Sequence, residues 1–285
     1  MAALSDYVSF GDPAKLYIEY MKRTEPYTMT IDHFHPYYEV YYLLSGSRIY
    51  FIEDRSYFVE QGDLVFIGKE MLHRTMQTGD ARHERLILHF SDEWLRDLGA
   101  ELSGMFGALF SPEIRVLRLP RQESLAAEAS VRAMRLEADV RETGYHLAIR
   151  NAAASLLLLC GRYSASHQPE PFQHVSPLHA KISEIVRYIN GHYDESLRLA
   201  DLSERFFISP HYLSRMFKEV TGFAFTDYVV LTRVKEAQRL LRESELTVSA
   251  VAERVGFDNF SHFGKTFKKI SSVSPREYRK SMSQF

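Results

Sequence analysis

Three patterns of apolar spacing follow one another along this chain. From about residue 27 to residue 90, Tyr, Phe, Val and Ile recur with period two, the alternation of half-buried strands. Ser45-Gly46-Ser47 reads as a short hairpin joining 40–44 to 48–52. Glu53-Asp54-Arg55 reads as a second turn, and Gln61-Gly62-Asp63 as a third before 64–67. Short strands punctuated in this way predict an antiparallel barrel or sandwich.

The period then changes. Arg121 to Thr143 and Tyr145 to Cys160 are rich in Ala, Leu and Glu, with Gly144 between them and Gly161 after. Ala127, Val131, Met134 and Ala138 form one helical stripe, and Ile149, Ala152, Leu156 and Leu159 form another. Two readings stand: helices packed on the strand domain, or a helical seam between two copies of the chain. Ser164 to Pro177 is polar, proline-containing and aperiodic, and reads as a linker.

Helical spacing dominates the remainder, where one arrangement occurs twice. Leu199 to Lys218 contains Glu204-Arg205, then Ser209-Pro210, then Leu213-x3-Phe217-Lys218. Val248 to Lys268 contains Glu253-Arg254, then Gly256, then Phe263-x3-Phe267-Lys268. Each is a short amphipathic helix, a tight turn, an N-cap and a second helix with a basic face, the geometry that places a helix in a DNA major groove. Ser209-Pro210 and Ser274-Pro275 are helix starts, and Gly222 is a helix stop. Thr226 to Glu243 is one amphipathic helix joining the two units.

The predicted fold is therefore α+β. An N-terminal antiparallel β-barrel occupies 1–118, a helical dimerisation segment and linker 119–177, and an all-α double helix-turn-helix domain 178–285. Charge supports the division. Residues 178–285 carry 17 basic and 13 acidic side chains, whereas 1–177 carry 18 and 24. A basic C-terminal part suits phosphate contact. The one cysteine, Cys160, excludes an intrachain disulfide, and in the run 156–160 it reads as a small buried hydrophobe. With no secretion-type leader and no apolar run near ~20 residues, a cytoplasmic protein without membrane contact is expected.

The apolar positions of each unit leave a polar face on its second helix. In the first unit that face is His211, Ser214, Arg215 and Lys218; in the second it is Asn259, Ser261, Lys265 and Lys269, with Phe260 placed to touch a thymine methyl. Arg reads guanine bidentately, and Ser and Asn exchange hydrogen bonds with base edges. Ser209, Thr266 and the helix N-termini suit phosphates.

Several segments of 178–283 resemble the AraC/XylS family of transcription regulators. They are Leu202-x-Glu204, Ser209-x3-Leu213-x-Arg215-x-Phe217-Lys218-x3-Gly222, Val248 to Ala252, Gly256-Phe257-x-Asn259-x3-Phe263-x3-Phe267-Lys268 and Ser274-Pro275-x2-Tyr278-Arg279. The resemblance implies that two recognition helices enter successive major grooves on one DNA face. It also implies base contacts at His211, Ser214, Arg215, Phe260, Ser261, Gly264 and Lys265. Gly264 departs from the polar residue often found there, which removes one contact.

The N-terminal part holds a second constellation. His33-x-His35-x3-Glu39-x6-Gly46 looks like the first cupin motif. Gly62-x5-Gly68-x-Glu70-x2-His73-x3-Gln77 resembles the second, with Gly68, Glu70 and Gln77 replacing Pro, Gly and Asn. Strand parity turns His33, His35, Glu39 and Tyr41 to one side. Regulators of the AraC type commonly keep such a barrel for a small organic effector, which implies an effector pocket of His33, His35, Glu39, Tyr41, Tyr50 and His73. The alternative is a divalent first-row metal ion held by His33, His35, Glu39 and His73.

The function expected is a sequence-specific DNA-binding transcription regulator, an activator and not an enzyme. Its control would come from a small-molecule effector, a sugar among the candidates, in the N-terminal barrel. Double-stranded DNA, RNA polymerase and a second copy of the chain are the expected partners. The competing reading is a metal-dependent cupin enzyme with an accessory DNA-binding domain.

Overall fold

The computed structural model of the chain describes residues 4–27, 34–111, 113–168 and 172–282. It divides into two compact units, Met1–Val175 and Ser176–Phe285. Of the segment 119–177, expected as a helical dimerisation segment and linker, the part up to Val175 falls in the first unit.

Among the described residues, eight strands open the first unit: β1 Tyr7–Asp12, β2 Leu16–Arg23, β3 Tyr38–Ser45, β4 Ser47–Ile52, β5 Arg55–Glu60, β6 Leu64–Ile67, β7 His73–Gln77 and β8 His83–Phe90. Helices α1 Asp92–Asp97 and α2 Ala100–Leu109 follow, then β9 Val116–Leu117, α3 Arg121–Val140 and α4 Tyr145–Ser166. Strands β1 and β2, helices α1 and α2, and β9 lie outside the predicted elements.

The strands form a six-stranded sheet in the order β1-β2-β8-β3-β6-β9 and a three-stranded sheet in the order β5-β4-β7. They face each other across a shared interior and, among the described residues, do not close into a barrel, although the cupin-like arrangement holds. Ser45-Gly46-Ser47 is consequently not a hairpin. β3 pairs with β6 and β8, whereas β4 pairs with β5 and β7, so the turn carries the chain from one sheet to the other. Gly46 is needed there. Its φ is +92°, and a Cβ would lie 2.5 Å from the Arg82 carbonyl oxygen. Glu53-Asp54 does make a tight hairpin turn, between Ile52 and its partner Arg55.

Strand parity sorts the core. Even positions of β3 (Val40, Tyr42, Leu44) join Leu86, Leu88 and the helices in one cluster. Odd positions (Tyr41, Leu43) join Tyr50, Ile52, Val59, Val65, Ile67 and Ile87 between the sheets. Both faces of β3 are thus buried, which is why it reads as a nearly unbroken apolar run.

The helical stripes are spent on this core. Ala127, Val131, Met134 and Ala138 are essentially inaccessible, as are Ile149 and Leu156, while Ala152 and Leu159 are partly buried. They pack within the first unit, so they cannot also form a seam between two copies. At roughly 1.5–3 kcal/mol for each large side chain buried, this face is a main stabiliser of the unit.

The second unit is all-helical: α5 Pro177–Gly191, α6 Leu199–Arg205, α7 Pro210–Thr221, α8 Phe225–Glu243, α9 Val248–Arg254, α10 Phe260–Ser271 and α11 Pro275–Met282. Leu202, Leu213 and Phe217 are buried in the first half, and Val251, Val255, Phe263 and Phe267 in the second; Leu199, Phe206 and Val248 are half-buried. α8 contacts both halves through α7, α9 and α10. Ser274 and Glu277 form a capping box at α11: Glu277 N donates to Ser274 Oγ (3.3 Å) and Ser274 N to Glu277 Oε2 (2.8 Å).

Candidate functional site

The helices α7 and α10 expose what their buried stripes leave over. His211, Ser214, Arg215 and Lys218 are exposed on α7, and Phe260, Ser261, Lys265 and Lys269 on α10. Gly264 and Thr266 are half-exposed. Apart from its chain neighbours and its own helix backbone, no described atom lies within 4 Å of where a Gly264 Cβ would stand, so the glycine leaves room on this face. Arg215 has its guanidinium 5.7 Å from the Tyr212 ring, which orients it along the helix surface.

Two residues expected to reach DNA also have structural duties. Ser209 is the N-cap of α7, its Oγ accepting from Tyr212 N at 3.4 Å. Asn259 caps α10, its Oδ1 accepting from His262 N at 2.9 Å. The Ser209 hydroxyl proton and the Asn259 amide NH2 remain available as donors, but Asn259 belongs to the turn and not to the outer face of the helix. Tyr212, His262 and Lys268 are exposed on the same helices and were not singled out from sequence. Helical spacing from the buried Leu213 and Phe263 would have shown them.

The turns of the two halves differ. Gly256 follows α9 with φ +84°, and a Cβ there would lie 2.7 Å from the Asp194 carbonyl oxygen. The corresponding residue after α6 is Phe207, with φ 56° and 96% of its surface exposed.

In the first unit, four side chains from four segments meet around one carboxylate. Glu39 on β3 is buried, and its Oε2 lies 3.2 Å from His35 Nε2, 2.9 Å from His89 Nε2 and 3.7 Å from His73 Nε2. Its Oε1 accepts from the Tyr50 hydroxyl at 3.5 Å. Tyr41 packs edge-on against Tyr50, with ring centroids 4.9 Å apart. His35, Glu39, Tyr41, Tyr50 and His73 are therefore brought together, while His33 lies outside the described residues. His89 was missed. It is brought in by register, since β8 places it directly opposite Glu39, and no local spacing signals that pairing.

Hydrogen bonding fixes the imidazoles. The Nδ1–H of His35 donates to the Tyr37 carbonyl at 2.9 Å, and that of His73 to the Met71 carbonyl at 2.8 Å. In the neutral ring each Nε2 then carries a lone pair directed at the Glu39 side. Burial pushes His35 below the usual imidazole pKa, which favours that neutral form. Burial would raise the Glu39 carboxyl, but the three imidazoles outweigh it and hold the group well below the usual carboxylate range. A carboxyl held that low needs positive charge or a donor beside it: a proton on an imidazole Nε2 that donates to Glu39, or a cation that takes the proton's place. The donor atoms of His35, Glu39 and His89 lie within 4.8 Å of one another. Imidazole and carboxylate donors, with the Tyr37 and Met71 carbonyls holding the Nδ1–H groups of His35 and His73, fit a divalent first-row ion.

Comparison with known proteins gives two matches on this chain. Residues 15–143 match the family described as AraC-like ligand binding domain, and residues 202–281 a helix-turn-helix domain family. The regulatory protein PocR of Salmonella typhimurium is 32% identical over 109 residues, 38% of this chain and 36% of that protein, so this match spans about a third of the relative's length. The melibiose operon regulatory protein of Escherichia coli (strain K12) is 22% identical over 98% of this chain and 95% of its own. The HTH-type transcriptional activator RhaR of Cronobacter sakazakii is 25% identical, covering 89% and 88%.

Proposed function

The chain belongs to the AraC family of transcription regulators, and from that premise we propose that it reads a bipartite DNA site under the control of a small molecule bound between the sheets of its first unit. One observation carries the reading: two capped helices, α7 and α10, expose polar and basic faces from a single helical unit bridged by α8. Arg215 would read a base edge, with His211 and Ser214 beside it; Ser261, Lys265 and Phe260 would do the same one groove away. Ser209, Asn259, Thr266, Lys218 and Lys269 would hold the backbone.

Control would be a shift between two states of the protein, biased by an effector that favours one of them. Glu39, Tyr41, Tyr50, His35, His73 and His89 offer hydrogen bonds suited to a hydroxyl-rich ligand such as a sugar. A divalent ion held by His35, Glu39, His73 and His89 would supply a Lewis-acidic point for an effector oxygen. The protein would act as a cytoplasmic activator that contacts RNA polymerase, and not as an enzyme. Among the described residues, no helix is long and apolar enough to cross a membrane.

A homodimer would need a surface other than the buried stripes. Leu125, Leu136 and Val140 on α3 and Leu147 on α4 are exposed and apolar, and they would supply it. Selection of DNA from a random pool by the full chain tests the whole reading. Enriched sites should carry two conserved blocks about one helical turn apart. Enrichment of no sequence over the input pool would defeat it.

A further inference from the structure

The interior of the first unit is polar at both ends. At one end stand Glu39 and its histidines. At the other, toward the Gly46 turn, stand Arg48 on β4 and Arg85 and His83 on β8. Register places them there: Arg85 is opposite Leu43, four residues along β3 from Glu39, and Arg48 is two residues before Tyr50. Strand rise makes the distance between the ends roughly 13 Å. Tyr41 and Tyr50 lie between.

This second end is over-supplied with donors and positive charge. Arg48 is 1% exposed and Arg85 7%. Arg48 spends its Nε on Thr75 Oγ1 (3.2 Å) and its Nη2 on the Tyr27 carbonyl (2.7 Å), both uncharged acceptors. Arg85 spends its Nη2 on the Glu19 carboxylate. Among the described residues, one carboxylate therefore answers two buried guanidinium groups. The Nη1 atoms of both arginines and the Tyr41 hydroxyl are buried and bonded to nothing among the described residues. Arg23 adds a third guanidinium, stacked 3.9 Å from the Tyr27 ring, with its Nε likewise unmet. Burial, followed by the charge of Arg48, depresses the His83 imidazole to about 4, so this neighbour stays neutral and adds no further charge at pH 7.

A buried charge without a counter-charge is strongly unfavourable, and so is each buried donor without an acceptor. Among the described residues, the pattern is that of a site with room for an anion's charge. We infer that Arg48 and Arg85, with the Tyr41 hydroxyl, form a cationic subsite that binds the carboxylate of a small organic acid. A carboxylate presents two acceptor oxygens to guanidinium forks. The effector class is thereby narrowed from a neutral sugar to an organic acid. The inference rests on the proposal that this interior takes the effector.

Thermal unfolding of the full chain tests it with D-glucuronate, benzoate and succinate. The controls are D-glucose, benzamide and succinamide, with inorganic phosphate as a further arm, all at equal ionic strength. At least one carboxylate should raise the first unit's midpoint, by ~5–10 °C at a hundredfold excess over its Kd, while its uncharged counterpart does not. Arg48→Gln and Arg48→Met should melt no lower than the unchanged chain without ligand, since each removes a buried charge that no described carboxylate answers. Both should weaken carboxylate binding roughly 10- to 100-fold. The subsite is overturned if no carboxylate shifts the midpoint, if the uncharged counterparts or phosphate alone shift it as much, or if both variants keep full carboxylate binding. DNA binding measured alongside separates the two ideas. A carboxylate shift lost in the Arg48 variants but without effect on DNA binding supports the subsite and counts against effector control. An effector response on DNA that survives both variants overturns the subsite and leaves the regulator standing.

Discussion

Glu39 and His89 are fifty residues apart in the chain and 2.9 Å apart at Oε2 and Nε2. The contact exists because β3 and β8 pair antiparallel with these two residues opposite each other. It turns two incomplete motifs into a three-imidazole, one-carboxylate centre. Full chain purified without a histidine tag should carry a near-stoichiometric first-row metal by elemental analysis. His35→Ala and His89→Ala should each remove most of it. Metal-free protein that gains none on incubation with zinc, nickel or manganese would reduce the centre to a hydrogen-bonded cluster.

Arg215 and Lys269 should fail in different ways. Arg215→Ala is expected to cost about 1–3 kcal/mol in specific DNA binding and to relax preference at one base pair. Lys269→Ala should weaken all sequences alike and lower the slope of log affinity against log salt by about 0.9. Titrations across a salt series, with matched and mismatched duplexes, separate the two. Equal loss on all sequences for Arg215→Ala would remove it from base reading.

Leu156 is 1% exposed inside the first unit. Leu156→Ala should cost about 2–5 kcal/mol in chemical unfolding, the range for a core leucine. Leu136→Glu, on the exposed side of α3, should leave that stability nearly unchanged and lower the sedimentation coefficient if copies meet there. A cost for Leu156→Ala below about 1 kcal/mol would contradict the packing described.

Cys160 is buried, and burial pushes its thiol up to about 12. The thiol is therefore almost wholly protonated and enclosed at pH 8. It should react with a disulfide reagent only as fast as the unit opens, and rapidly once denaturant is added. Labelling of native protein at the rate of free cysteine would contradict the assignment.

The helical half was the more legible because its signals are local. Ser209-Pro210, Gly222 and Ser274-Pro275 each fix a helix end through bonds to residues within four positions. The sheets depend on distant pairing. Ser45-Gly46-Ser47 looks like a hairpin turn, yet it passes between sheets because β8, from forty residues later, takes the place beside β3. β2 buries Ile18 and Tyr20 at alternate positions, but β1 and β2 precede the dense aromatic run of residues 27–90. α2 was hidden by its two glycines, Gly104 and Gly107. In the candidate site, Glu39, Tyr41 and Tyr50 were legible from parity and motif. His89, Arg48 and Arg85 were not, since only their register turns them toward the same interior.

Hydroxyl-radical footprinting of the full chain on a selected DNA site tests the central claim most directly. Two protected windows per subunit, about 10 bp apart on one DNA face, are expected. Alanine at His211, Ser214 and Arg215 together should erase one window, and alanine at Ser261 and Lys265 the other, each leaving its neighbour in place. A single window, or two windows that survive both sets of substitutions, would contradict the assignment of α7 and α10 as the helices that read DNA.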